Sequence, residues 1–355
     1  MNPRENFLRA AEMTGPEWIP SSVALSPPLW HKYREKLEDL VLKHPAFFGE
    51  YKKGSRDFDD FGIRRKGNTI TDEWGCVWTF LADGLQGQVV KNPLEDWSVL
   101  DSYEPPDPVS LNIAPQEGFP PSSTCFDKAK ANVEKAKETG KLAVGSCSHG
   151  FMFQRLYYLR GFNNLMKDFV LEPPELKRLI GMVLDYNMKI IRRWLDLGVD
   201  LLGFGDDLGM QDRLTIHPDV FRKYIIPAYS KMFKTVRAEN VHVRLHSDGH
   251  IMEIAEDLID AGVTILNLQD LVNGVNKIQK RLKGKVCIDI DIDRQKIIPF
   301  GTPEQVERHV RKVVSALNSP EGGFMVTVDV YPPASLENIE ALCQTLEEAG
   351  AGPKY

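Results

Sequence analysis

Along Val241-His-Val-Arg-Leu-His246, three side chains that hold protons, metals or anions alternate with three apolar ones. A period of two puts His242, Arg244 and His246 on one face of a strand and Val241, Val243 and Leu245 on the other. A strand buried in a parallel sheet is ordinarily apolar on both faces. Buried charge is costly unless it is paired, so this strand is expected to help build a site; the plainer alternative is a polar face that meets water. A second run, Val286-Cys-Ile-Asp-Ile-Asp-Ile-Asp293, alternates Asp289, Asp291 and Asp293 with isoleucines. If both polar rows face one interior, Arg244 and the histidines neutralise the aspartates, with Asp289 deepest and paired to Arg244.

These residues need elements to position them. Strand-like segments are Trp18–Leu25, Leu142–Cys147, Asp200–Gly205, Val241–His246, Thr264–Leu268, Val286–Asp291 and Gly323–Val330. Amphipathic stretches lie between them: Pro174–Leu197, Pro218–Glu239, Ile251–Ala261, Pro303–Leu317 and Ser335–Ala349. Near the start, Asn2 is placed to cap a helix, with Pro3 at its first position and Glu5 completing a capping box. Residues 30–43 read as one further helix. Repeated βα units point to a parallel sheet, and with one more strand eight would close a (β/α)8 TIM barrel of the α/β class. Residues from about 46 to 115 mix acids with aromatics, and Gly67-Asn68 and Asp83-Gly84 mark turns there. That stretch is expected to be an insertion of hairpins over the mouth of a single domain. No G-x-G-x-x-G or Walker sequence is present.

Polar residues gather at the C-terminal ends of the strands, where barrel active sites lie. They include Cys147 and His149, Asp206 and Asp207, His246 and Asp248, Asn267, Asp291, and Asp329 with Tyr331. His246 is the first choice for a metal ligand or an acid–base group; the alternative is a structural histidine paired to Asp289 or Asp291. Side-chain alternation lets only one of Asp206 and Asp207 point inward, the other capping a helix; if both converge, one can hold a proton. Asp291 and Asp329 are candidate ligands or acids. Cys147, His149, Phe151, Tyr331, Trp74 and Asn267 are candidate substrate contacts, and Trp78, Phe80, Phe153, Tyr157 and Tyr158 are further rings able to sandwich an aromatic ligand. His31, His44, His217 and His309 read as surface or helix-start residues.

Bulk properties exclude some functions. The net charge is −6, which gives no basic footprint for nucleic acid. The five cysteines are scattered, odd in number and without a C-x-x-C pair, as suits a reducing cytoplasm. No apolar run approaches the roughly 20 residues that span a bilayer, and Met-Asn-Pro-Arg-Glu is unlike a signal peptide. A soluble cytoplasmic protein is expected.

In order along the chain stand Asn2-Pro-Arg-Glu-Asn-Phe-Leu-Arg9, Asp72-Glu-Trp-Gly75, Leu159-Arg-Gly-Phe-Asn-Asn-Leu-Met166, Gly205-Asp-Asp-Leu-Gly209, His246-Ser-Asp-Gly249, Gly301-Thr-Pro-Glu-Gln-Val306 and Pro332–Asn338. By these the chain resembles the uroporphyrinogen decarboxylase superfamily over nearly its whole length. Within it, the chain is most similar to the cobalamin-dependent methyltransferase branch that includes O-demethylase methyltransferases. The resemblance implies the barrel. The decarboxylase itself implies an Arg-rich N-terminal loop, whereas the matching Ser21–Trp30 holds no Arg. Thiol-methylating members imply a zinc site of one His and two Cys. Here His246 matches, but Asp248 stands at the first Cys position and Asp329 lies near the second; carboxylates harden such a site toward oxygen ligands. The resemblance therefore implies transfer of a methyl group from a methoxylated, aromatic small molecule to the Co(I) corrinoid of a partner protein. His246, Asp248 and Asp329 would be ligands for an optional zinc. No D-x-H-x-x-G corrinoid signature occurs in the sequence, so the corrinoid is expected on a separate protein. Methyl transfer to a thiol, a decarboxylase and a non-catalytic binding barrel remain the other readings.

Overall fold

In a computed structural model, residues 1–108 and 126–355 are described; Cys125 and the expected end of the insertion, 109–115, lie outside them. The strands are β1 (Ile19–Leu25), β2 (Thr69–Thr71), β3 (Val77–Thr79), β4 (Gln88–Lys91), β5 (Val144–His149), β6 (Leu201–Gly205), β7 (His242–Ser247), β8 (Ile265–Gln269), β9 (Cys287–Asp291), β10 (Phe324–Val330) and β11 (Ala351–Pro353). Eight of these, β1 and β5 to β11, run parallel and alternate with helices along the chain, which is the (β/α)8 type of α/β fold. Every expected strand is present within two residues at each end, and β11 supplies the eighth. The buried strands read clearly because most are short apolar runs.

The chain divides into two compact units. One comprises residues 1–65, 82–85 and 265–355 and holds β11-β1-β10-β9-β8 in that order. Asn2 Oδ1 accepts from Glu5 N at 2.8 Å and so caps the first helix, Pro3–Glu12. No capping box forms there, because the Glu5 carboxylate reaches forward to Arg9 at 2.7 Å. The helix expected over 30–43 is two, Pro27–Tyr33 and Glu35–Lys43, broken by the left-handed φ of 50° at Arg34. Thr302 and Gln305 make a true capping box at the start of Pro303–Leu317.

The other unit comprises residues 66–81 and 86–264 and holds β7-β6-β5 and the antiparallel sheet β2-β3-β4. The chain turns at Gly67 as expected, with φ of 86°, and the turn between β2 and β3 is at Asp72–Cys76. Asp72 Oδ1 accepts from the amides of Trp74 and Cys76, and Gly75 takes φ of 81°. The other Asp72 oxygen holds Trp78 Nε1 at 2.9 Å and Arg155 Nη1 at 3.0 Å, which locks the hairpin onto the helix Phe153–Arg160. The stretch expected as one helix over 218–239 contains a π-turn, Phe221–Ile225. Pro227 lacks the N–H that would continue the α ladder there. Among the described residues no helix is long and apolar enough to cross a membrane.

Candidate active site

The site is built where β5, β6 and β7 end side by side. Gly205 pairs with His246 on β7 and with His149 on β5. Regular alternation from Ser146, which pairs with Gly203, would bring Ser148 opposite Gly205. An irregularity in β5 inserts one extra residue, so His149 arrives there instead. Gly205 leaves room for the ring: a Cβ at that position would stand 2.6 Å from His149 Cδ2. The two imidazoles lie 5.6 Å apart between centroids, tilted by 50°. From Val243 onward the burial of β7 alternates as expected, with Val243, Leu245 and Ser247 buried and Arg244 and His246 partly open, while His242 at its start is buried too.

Two loops carry the rest. Gly205-Asp-Asp-Leu-Gly209 and His246-Ser-Asp-Gly249 zip together through Asp206 N to His246 O at 3.0 Å, Leu208 N to Ser247 Oγ at 3.0 Å and Gly209 N to Asp248 O at 3.3 Å. Both glycines are required by contact. A Cβ on Gly249, whose φ is 81°, would stand 2.1 Å from the Gly209 backbone, and one on Gly209 would stand 2.4 Å from His250 N.

The adjacent carboxylates divide their duties. Asp206 is fully buried and accepts from the amides of Phe153 and Gln154 and from the Tyr229 hydroxyl, 2.8 Å away. It caps the helix Phe153–Arg160 and is not free for catalysis, which corrects its assignment as a catalytic group. Burial pushes its pKa up to about 6 despite those donors. Asp207 turns to the histidines, with Oδ1 3.4 Å from His149 Nε2 and 3.9 Å from His246 Nε2. Burial alone would raise its pKa. The His149 hydrogen bond, the positive charge of both histidines and the Asp248 amide overcome that and hold it well below the usual carboxylate range. Its other oxygen accepts from Gln154 Nε2 at 3.2 Å, while Gln154 Oε1 accepts from Asp207 N at 3.0 Å.

His149, Asp207 and His246 each offer one ligand atom, all within 4.8 Å of one another. Zinc bonds of 2.0–2.1 Å in a tetrahedral shell place ligand atoms about 3.3 Å apart, so the trio can hold zinc once its side chains draw in by up to about 1.5 Å. Asp248 Oδ1, 3.5 Å from His246 Nε2, stands beside the trio, partly exposed. Of the expected ligand set, His246 and Asp248 stand at this point, and His149 and Asp207 join them. Asp329 is ion-paired at 3.5 Å to Arg294, a cation that opposes metal binding at that carboxylate.

Other assignments fall to packing. Phe151 is 3% exposed and stacked against Tyr229, Phe204 and Phe233. Trp74, also 3% exposed, packs edge-on to Tyr186 beneath Arg155. Cys147 is buried and its thiol pKa is raised by that burial. These three are core residues, not substrate contacts. Asn267 is buried and donates to Asp289 O at 2.7 Å. Asp291 lies 3.5 Å from Arg294, whose guanidinium also covers Tyr331. Asp289 takes the buried Lys354 ammonium at 2.7 Å, a partner that strand parity did not point to. His31 and His217 are exposed, as expected. His44 stands at the start of the short helix Pro45–Phe48, as expected, but is buried against Glu347 at 2.9 Å; His309 is buried within Pro303–Leu317 against Asp270 at 2.6 Å. Gln154 was missed, and nothing in its local sequence marks it.

The family model described as "Uroporphyrinogen decarboxylase (URO-D)" matches residues 71–349. A solved methyltransferase from Methanosarcina mazei is similar over 98% of this chain and 99% of its own, with a TM-score of 0.63 at 13% identity. A dihydropteroate synthase from Xanthomonas albilineans covers 48% of this chain and 62% of its own, with a TM-score of 0.31 at 12% identity. No curated protein sequence matches.

Proposed function

Because the chain belongs to the uroporphyrinogen decarboxylase family, we propose that it is a methyltransferase of the O-demethylase kind, which moves a methyl group from a methoxylated aromatic compound to the Co(I) corrinoid of a separate protein. The observation that carries this reading is the convergence of two imidazoles and a carboxylate on one partly open point, His149, Asp207 and His246. An ether oxygen is a poor leaving group. As the methyl carbon is attacked in line, the C–O electron pair returns to oxygen, which then needs a proton or a Lewis acid. An imidazolium beside Asp207 can deliver the proton. The same trio can hold zinc, which when bound supplies the Lewis acid. A donor set of nitrogen and oxygen suits an oxygen leaving group better than a thiol. The wide likeness to a methyltransferase from Methanosarcina mazei supports the scaffold. On the same footing the protein is assigned to the cytoplasm, since Cys76, Cys147, Cys287 and Cys343 are unbridged thiols.

The test is anaerobic. The protein is mixed with a Co(I) corrinoid protein and, separately, methoxylated aromatics, methylamines and methanol, and the cobalt spectrum is followed. Loss of Co(I) with growth of the methylcobalt band, driven by methoxyaromatics alone, is the expected result. No methylation from any donor, with a corrinoid protein proven competent by another methyltransferase, would reject the reading.

A further inference from the structure

Beside the trio lies a cavity of about 370 Å³, between the β3–β4 hairpin and the helix Phe153–Arg160. This falls in the size range of small-molecule sites. Four rings line it, Trp78, Tyr157, Tyr158 and Phe162. Its polar atoms come from carboxamides, those of Gln86, Gln88, Asn92 and Gln154, and from the tyrosine hydroxyls. No charged side chain lines it among the described residues. A carboxylate or an ammonium placed there would lose its hydration without gaining a counter-ion. A flat neutral ring with a polar edge would lose little and gain both packing and hydrogen bonds.

The cavity is wired to the trio. Gln154 is 4% exposed, and its one side-chain nitrogen donates to Tyr157 OH at 3.1 Å and to Asp207 Oδ2 at 3.2 Å. The Tyr157 oxygen accepts from Gln154 and also from the Tyr158 hydroxyl. What Tyr157 has left to offer is its own proton, and burial keeps that proton on by pushing its pKa up to about 12. The cavity thus presents one phenolic donor at the end nearest the trio.

We propose that this cavity seats the uncharged aromatic ring of the methyl donor, with Tyr157 donating a hydrogen bond to an oxygen of that ligand and Gln154 acting as a positioning residue between it and Asp207. The proposal rests on the methyltransferase reading for the word donor, but binding in the cavity is tested without it. A ligand that accepts the Tyr157 proton strengthens the hydroxyl as an acceptor for Gln154, so occupancy and the setting of Asp207 are linked.

Binding is measured by calorimetry on the full chain with methoxybenzene, 2-methoxyphenol, 4-methoxybenzoate and tetramethylammonium. Val89 lies on β4 and lines the cavity, so V89F fills it, while Y157F removes only the donor. The neutral ethers are expected to bind, with V89F weakening them at least about tenfold and Y157F several-fold. Tighter binding of 4-methoxybenzoate or tetramethylammonium would overturn the proposal. So would wild-type affinity in a folded V89F or, should V89F not fold, in Y157F. In the cobalt assay, methylation with KM unchanged in both variants would sink the cavity and spare the methyltransferase reading. Binding that both variants weaken, without any methylation, would do the reverse.

Discussion

Two neighbouring aspartates with opposite pKa shifts lead to opposite pH dependences. Asp206 ionises in the folded protein near pH 6, above the ordinary 3.8. Between about pH 4 and pH 6 the folded state therefore binds more protons at this site than the unfolded state, and stability falls as pH rises through that window. Asp207 is depressed, so its contribution is present above the ordinary value and is lost as pH falls below about 4. D206N is expected to flatten the urea midpoint between about pH 4 and pH 6 relative to wild type. An unchanged slope would mean Asp206 does not titrate there. Gln154 touches Asp207 on the oxygen that faces away from the histidines, so it orients a ligand without being one. Q154L is expected to weaken zinc binding about 10–100-fold, measured by competition with a chelating dye. H149A and H246A should weaken it more.

At the scale of elements, the site depends on backbone that passes too close for side chains. Gly249 at φ of 81° against Gly209 leaves no space for a methyl group. The left-handed φ alone costs about 1 kcal/mol or more for a residue with a Cβ, and the backbone collision adds to this. G249A is expected to lower the urea midpoint and weaken zinc binding together, because it displaces the loop that carries Asp248. G181A is the control. Gly181 lies inside the helix Pro174–Asp196 with nothing within 4 Å of its missing Cβ, so alanine there should be neutral or stabilising by up to about 1 kcal/mol. Gly205 works by the same logic for a different purpose: its bare backbone makes the space in which the His149 ring lies. G205A should therefore cost metal binding more than it costs stability.

At the scale of the molecule, a metal that binds only the folded chain stabilises it by mass action, about 2.7 kcal/mol at a hundredfold excess over Kd. Zinc is expected to raise the melting midpoint by a few degrees and a chelator to return it. The H149A/H246A double variant should show neither effect. A zinc response that survives in this variant would place the metal elsewhere.

The sequence by itself determined the fold class, the position of every parallel strand but β11, and the polar face of β7. Apolar runs of five to seven residues punctuated by amphipathic stretches have few other readings. It also pointed to the strand ends as the candidate site, because His246 lies on a polar face that a buried parallel strand does not otherwise tolerate and Asp207 follows the end of β6. Only the tertiary structure decided which side chains meet. A strict two-residue parity would bring Ser148 to the site, and the extra residue in β5 brings His149. Such an irregularity arises from the pairing of strands some 55 residues apart and leaves no mark on local periodicity. The choice between Asp206 and Asp207 was likewise settled by where the Phe153–Arg160 helix begins. The partner of Asp289 came from Lys354, 65 residues along the chain. Contacts of that range are set by packing, and no local pattern carries them.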